Sequence, residues 1–263
     1  EMQQNGYQTE ILNTAGPKLY DCQNVYKIMD LDKVTYVSQE PTYAKDSVVT
    51  DMIKNRFNSK AKNEKLFYLA ITMGSHMPYY ENNYQNPNLK ITSSPYSNSI
   101  NNIILNYALA VNAADQELGK LYEYINTLEE PTLLIYFGDH LPFLKTEDNA
   151  YVFEKINMFT KDVKALSDKY TTPAIVLSNY DTANFSLPDT LSPDLFLNYL
   201  LNNTSLSLSA YYRWLYDNQA NFAIGNNYVS KKGSDLYFTN KLPTSLKKYE
   251  LLRANMQYLL LYD

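Results

Sequence analysis

The chain has 263 residues, 45% of them hydrophobic, and a formal net charge of −5; that is enough apolar material for one large domain, and the charge gives no electrostatic reason to bind nucleic acid. No apolar run approaches the roughly 20 residues that a bilayer-spanning helix needs, no charged-then-apolar leader opens the chain, and the sequence reads as soluble. The single cysteine, Cys22, excludes an intramolecular disulfide and, with no histidine beside it, reads as an inert, partly buried thiol.

In chain order, Glu1 looks like the tail of a helix that Gly6 stops, and residues 7–12 are the next strand. A short helix over residues 23–29 leads to a strand at 34–37 and a helix at 47–58. An apolar strand follows, Leu66-Phe67-Tyr68-Leu69-Ala70-Ile71-Thr72, and ends in Met73-Gly74-Ser75-His76. The polar, Asn- and Pro-rich stretch 79–98 is too long for an ordinary connection and is expected to drape over a site. Next, Ile104, Tyr107, Val111, Ala114, Leu118, Leu121 and Ile125 recur at three- and four-residue steps, one helical stripe that packs on the core. Leu133 to Phe137 lack alternation and follow Pro131, which suits a strand covered on both faces. Residues 144–168 are charged and irregular, with a helix near 158–166. A strand at 174–177 and helices at 193–201, 209–216 and 245–260 complete the chain, the first of these opening on Ser192-Pro193. Lys231-Lys232 and Lys247-Lys248 read as solvated faces, and most of the 26 tyrosines as packing residues.

Alternating strands and helices predict one α/β domain over residues 1–263: a predominantly parallel sheet, sandwiched by helices and holding the strands at 68–72, 133–137 and 174–177. The chemistry falls at two strand ends. The strand at 133–137 stops at Gly138-Asp139-His140, where a carboxylate oxygen and a neutral imidazole nitrogen suit a divalent ion such as zinc or manganese. The same residues also suit a turn whose carboxylate caps backbone amides. The second of only two histidines, His76, repeats the device of apolar strand, glycine and histidine. It is read either as an anion-binding or proton-transferring group or as a loop histidine held by a backbone carbonyl. In an open α/β sheet both would emerge at the carboxyl edge, where ligands bind. Tyr79, Tyr80 and Tyr84 are the tyrosines placed to contact such a ligand. Ser75 adjoins His76, but neighbours on an extended segment face opposite ways and make no nucleophile-base pair.

The stretches Thr72 to Tyr79 and Gly138 to Phe143, in this order and separation, resemble the lipoteichoic acid synthase and phosphoglycerol transferase branch of the alkaline phosphatase and sulfatase superfamily. Asn24-Val25-Tyr26, the run from Thr172 to Tyr180 and Tyr249-Glu250-Leu251-Leu252 add to the resemblance, which spans nearly the whole chain. It implies metal-dependent transfer of a phosphoglycerol, or a related phosphoryl or sulfuryl group, on the outer face of a bacterial membrane. Asp139 and His140 would hold the divalent ion, manganese first, with zinc, magnesium or calcium as alternatives, and His76 would contact the substrate. The implied partners are an anionic phospholipid headgroup and a polyglycerol-phosphate or glycan acceptor.

The same resemblance implies a catalytic domain that is N-terminally incomplete: the nucleophilic threonine, a further acidic ligand and any membrane anchor would lie upstream, so the catalytic nucleophile is absent and the ligand set partial. Cys22 stands where the family usually carries a phosphate-binding arginine, and Asn13 where a histidine is common, while Tyr20 keeps the aromatic two residues before the arginine position. A thiol cannot replace bidentate phosphate recognition. A non-catalytic relic with the same fold is the alternative, and Thr14 is the first suspect if a nucleophile lies within these residues.

Overall fold

The computed structural model describes residues 1–38, 44–79, 84–86, 88–145, 152, 162–183, 185, 187–219, 224–225, 229–233 and 235–262. A 3₁₀ turn, Gln3–Asn5, closes on Gly6 in the left-handed region and hands the chain to β1, Tyr7–Asn13. Glycine suits that position because it lacks the Cβ that makes positive φ costly. From Thr9 onward β1 is buried on both faces, as a central strand requires, and it pairs in parallel with β2 (Lys33–Tyr36) on one side and β3 (Lys65–Ile71) on the other. Asn13 lies opposite both Tyr36 and Ile71, so the three strands end together at one carboxyl edge.

Helices connect these strands: α1 (Cys22–Ile28) between β1 and β2, and α2 (Asp46–Ser59) between β2 and β3. After β3 comes α3, Asn98–Ile125, which starts where the Ser97 side chain accepts the Ile100 amide, an N-cap that satisfies an otherwise orphaned donor. Its buried face is Ile100, Ile103, Leu109, Ala110, Ala114, Leu118 and Ile125. Val111, expected in the stripe, is 43% exposed and points away from it. One residue of offset explains the difference: Ile103 and Ala110 are one heptad apart on the true core line, and Val111 sits about 100° further round.

The strand β4, Leu133–Phe137, pairs antiparallel with β5, Ala174–Ser178, as a ladder separate from the β2-β1-β3 sheet. The expectation of one sheet holding β3, β4 and β5 in parallel is therefore corrected. A short apolar run marks a strand but carries no direction; direction depends on the path between strands, here the irregular stretch after Asp139. The helix in that stretch, α4, is Val163–Lys169, opened by the Asp162 side chain on the Ala165 amide, and so starts later than the expected 158–166, whose first residues lie outside those described.

Further on, α5 (Pro193–Asn202) and α6 (Ala210–Asn218) pack through Leu195 and Leu215 with Trp214 beside them. Three short antiparallel strands, β6 (Ile224–Gly225), β7 (Val229–Lys232) and β8 (Asp235–Phe238), were not foreseen, and they place Lys231 and Lys232 in a strand. The last helix, α7, is Thr244–Tyr262. Among the described residues, no helix is long and apolar enough to cross a membrane.

Candidate active-site loops

Two loops follow the carboxyl ends of β3 and β4, and they are built alike. One reads Gly74-Ser75-His76-Met77-Pro78-Tyr79 and the other Gly138-Asp139-His140-Leu141-Pro142-Phe143, a shared pattern of glycine, any residue, histidine, any residue, proline and aromatic. In each, the imidazole Nδ1 lies against the carbonyl of the next residue, His76 on Met77 at 2.9 Å and His140 on Leu141 at 2.8 Å. A carbonyl only accepts, so Nδ1 carries the proton in both rings. With Nδ1 so engaged, Nε2 is the nitrogen that can carry a lone pair outward, the arrangement by which a backbone carbonyl orients a metal-binding histidine.

The His76 loop is braced on almost every side. The His76 amide donates to Met73 O, the Tyr79 hydroxyl to Ser75 O at 2.6 Å, the Tyr84 hydroxyl to Gly74 O at 2.6 Å, and Asn106 Nδ2 to Tyr79 O at 2.7 Å. Tyr79 is buried edge-on against Tyr107, and burial raises its hydroxyl. Burial, with Asp46 adding, pushes Tyr84 up to about 12. These two tyrosines therefore spend their hydroxyls on the loop backbone and stay neutral; Tyr80 lies outside the described residues. The Met77–Pro78 peptide is cis.

The second loop is open. Asp139 and His140 side chains are 84% and 55% exposed, and Asp139 Oδ2 stands 3.7 Å from His140 Nε2. Asp139 Oδ1 accepts the His140 amide at 2.8 Å, so the carboxylate does cap a backbone amide while its other oxygen faces the imidazole. Behind the loop, Thr172 donates its hydroxyl to Gly138 O at 2.6 Å, fastening it to the start of β5. A carboxylate oxygen and an imidazole nitrogen 3.7 Å apart fit two positions around one divalent ion, since donors at about 2.1 Å span that gap at an angle near 120°. Among the described residues, no group of three or more His, Cys, Asp or Glu side chains is gathered to hold a metal. The pair fits part of a ligand set, with water or further donors completing it.

The end of β1 is closed. Asn13 is buried, donates from Nδ2 to the Tyr26 hydroxyl at 2.6 Å and toward Cys22 Sγ at 3.5 Å, and accepts the Ala15 amide on Oδ1 at 2.8 Å. Its hydrogen-bonding capacity is spent internally. Burial first, and then Cys22, raises the Tyr26 hydroxyl, so this corner is neutral and presents no cation to a phosphate. Thr14 is fully buried and donates to Ile71 O at 3.2 Å, which commits its hydroxyl to the sheet.

Residues 2–200 match the profile described as Sulfatase. The chain belongs to the Sulfatase family. A Rhizobium meliloti (strain 1021) protein named for cyclic beta-1,2-glucan modification is 27% identical over 203 residues, 74% of this chain and 31% of that protein. Streptococcus pyogenes phosphoglycerol transferase GacH, solved with sn-glycerol-1-phosphate, superposes with a TM-score of 0.67 at 19% identity, over 96% of this chain and 61% of its own. The C-terminal periplasmic domain of Escherichia coli EptC gives 0.62 at 18% identity, over 92% and 71%. These two structures share the alkaline phosphatase and sulfatase fold with this chain. The chain spans less than two thirds of the length of both the glucan modification protein and GacH.

One residue beside the candidate loops escaped the sequence reading. Asp46, the first residue of α2, is buried and accepts the Gly74 amide on Oδ1 at 3.2 Å. In sequence it looks like an ordinary acid opening a helix, where it complements the helix dipole. The available signal was the tight glycine of the His76 motif: a Cβ on Gly74 would collide with Asp46 Oδ1 and lie 2.9 Å from the Tyr84 hydroxyl.

Proposed function

We propose that these residues supply the metal-facing and substrate-facing loops of a metal-dependent phosphoglycerol, phosphoryl or sulfuryl transferase of the bacterial cell envelope, working on its outer face. The observation that carries this reading is the matched pair of loops, each locking a histidine Nδ1 onto a backbone carbonyl and leaving the lone pair on Nε2. Asp139 and His140 hold part of the coordination sphere of a divalent ion, manganese first; when bound, the ion polarises phosphoryl oxygens and lowers the pKa of an attacking hydroxyl. His76 Nε2 accepts a proton or hydrogen bond from a substrate hydroxyl and, once protonated, donates to the transferred group's oxygens. An anionic phospholipid headgroup is the donor and a glycan or polyglycerol-phosphate the acceptor, in keeping with the names of GacH and the glucan modification protein. Among the described residues only Asp139 and His140 are offered to the ion and Thr14 is buried and committed to Ile71 O, so the chain binds metal weakly and does not turn over.

The test is calorimetric titration of the purified chain with manganese chloride, with zinc and calcium in parallel, followed by assay of a chromogenic phosphodiester, a sulfate ester and fluorescent phosphatidylglycerol. Weak manganese binding that Asp139→Ala abolishes, without turnover, is the expected result. Binding indifferent to Asp139→Ala overturns the metal assignment. Turnover that Asp139→Ala removes overturns the expectation of inactivity and places a nucleophile within the chain. The second reading, a non-catalytic ligand-binding module, is favoured by the self-satisfied Asn13-Cys22-Tyr26 corner. It gains if the chain binds glycerol phosphate without turnover in the presence of manganese.

A further inference from the structure

We infer that Asp46 is a positioning residue that fixes the root of the His76 loop to the start of α2, and so sets where the His76 ring stands. The inference rests on the metal reading above and adds to it a residue that touches neither metal nor substrate.

The argument starts from cost. Burying a carboxylate is unfavourable unless hydrogen bonds compensate it, and this one stands at the functional edge of the sheet. Burial raises its pKa, the Gly74 amide opposes that rise, and Glu117 on α3 adds to it. A purely structural start to α2 needs no such group, since an exposed acid would serve the helix dipole equally well. What the buried position gains is reach. Asp46 accepts the Gly74 amide, two residues before His76, and so ties the root of that loop to the start of α2. The absence of a side chain on Gly74 lets the carboxylate approach, and the Tyr84 hydroxyl holds the far side of the same peptide. β3 and β4 lie in separate ladders, so strand pairing alone does not fix the His76 loop relative to β4, and the loop depends on its own anchors.

The chain's two histidines make the test direct. Their ring Cε1 proton signals are assigned with His76→Gln and His140→Gln, and manganese is added in small steps; paramagnetic broadening falls steeply with distance from the ion. In the unsubstituted chain, both signals are expected to broaden. In Asp46→Ala the His140 broadening persists while that of His76 falls several-fold or is lost. Asp46→Asn, whose carboxamide oxygen still accepts the Gly74 amide, restores it. Gly74→Ala, which displaces the carboxylate without removing it, matches Asp46→Ala and carries the test if Asp46→Ala fails to fold. Equal broadening of both signals in every variant overturns the inference and leaves the metal reading standing. Failure of His140 to broaden in the unsubstituted chain overturns the metal reading, and this inference with it.

Discussion

Thr132 and Asn179 hold each other by a reciprocal pair of bonds. The Thr132 amide donates to Asn179 Oδ1 at 2.7 Å, and the Asn179 amide donates to Thr132 O at 3.3 Å. Asn179 Nδ2 also serves three carbonyls, Ile125, Leu128 and Glu130, at 2.9 to 3.0 Å. One side chain thus ties the end of α3, the turn after it and the start of β4 to the end of β5. Asn179→Ala is expected to cost about 2 kcal/mol, from unsatisfied partly buried groups. Asn179→Asp should cost more at neutral pH, because a carboxylate would face three carbonyls. Urea unfolding of the two variants checks the order.

Glu10 is buried in the middle of β1, and Arg56 of α2 reaches its Oε1 through Nε at 2.8 Å and Nη2 at 2.7 Å while also pairing with Glu64. Removing Arg56 leaves the buried Glu10 charge with only the longer, exposed Lys33 contact at 3.8 Å, so Arg56→Ala should lose about 3 kcal/mol. Arg56→Lys should recover little of that loss, since an ammonium cannot repeat the guanidinium's planar set of donors. Equilibrium denaturation measures both.

Asp46 gives a pH dependence with a definite sign. Its carboxyl lies above the ordinary value of 3.8 because burial disfavours the charge, with Glu117 adding and the Gly74 amide and Thr72 hydroxyl opposing; Tyr84 and Tyr136 are its other titratable neighbours. The folded chain binds this proton more tightly than the unfolded chain. Its contribution is therefore fully favourable below pH 3.8 and is lost as the pH rises through the raised folded value. Asp46→Asn should melt above the unsubstituted chain near pH 7, with the difference vanishing below pH 3.8. A lower melting temperature for Asp46→Asn at pH 7 would show that the donors around the carboxylate outweigh its burial.

Asn13 has three buried or half-buried partners, Tyr26, Cys22 and the Ala15 amide. Asn13→Ala should cost about 2–3 kcal/mol, and Tyr26→Phe about 1 kcal/mol, because the first strands several groups and the second removes one bond. Thermal unfolding compares them. A cost near zero for Asn13→Ala would mean that the corner is hydrated rather than closed.

The strands β1, β2 and β3 were legible one by one, though not their pairing around β1, and α3 was legible because its apolar period persists over 28 residues. Family membership was legible from two short motifs whose order and spacing leave few alternatives. The rest failed for local reasons. The direction of β5 depends on the path from Asp139 to Thr172, which no apolar pattern encodes. Strands β6 to β8 are two to four residues long, too short to show alternation, and Lys231-Lys232 disguised one of them as surface. For the site, His76, Asp139 and His140 stand at strand ends as their glycines suggested. What they lean on was hidden, since Asp46 follows Lys45 at a helix start, where acids are common for reasons unrelated to any loop.

The place of β1 between β2 and β3 carries a kinetic consequence. Its parallel neighbours are both supplied later in the chain, and Tyr7 must wait for Lys65 before the ladder on that side can close. Local contacts cannot nucleate such a sheet, because loop closure precedes any pairing reward. The chain should therefore fold slowly for its helical content, and during synthesis the unpaired edge of β1 stays without its β3 partner until α2 and β3 have emerged, an interval in which a holding chaperone would have its most useful target.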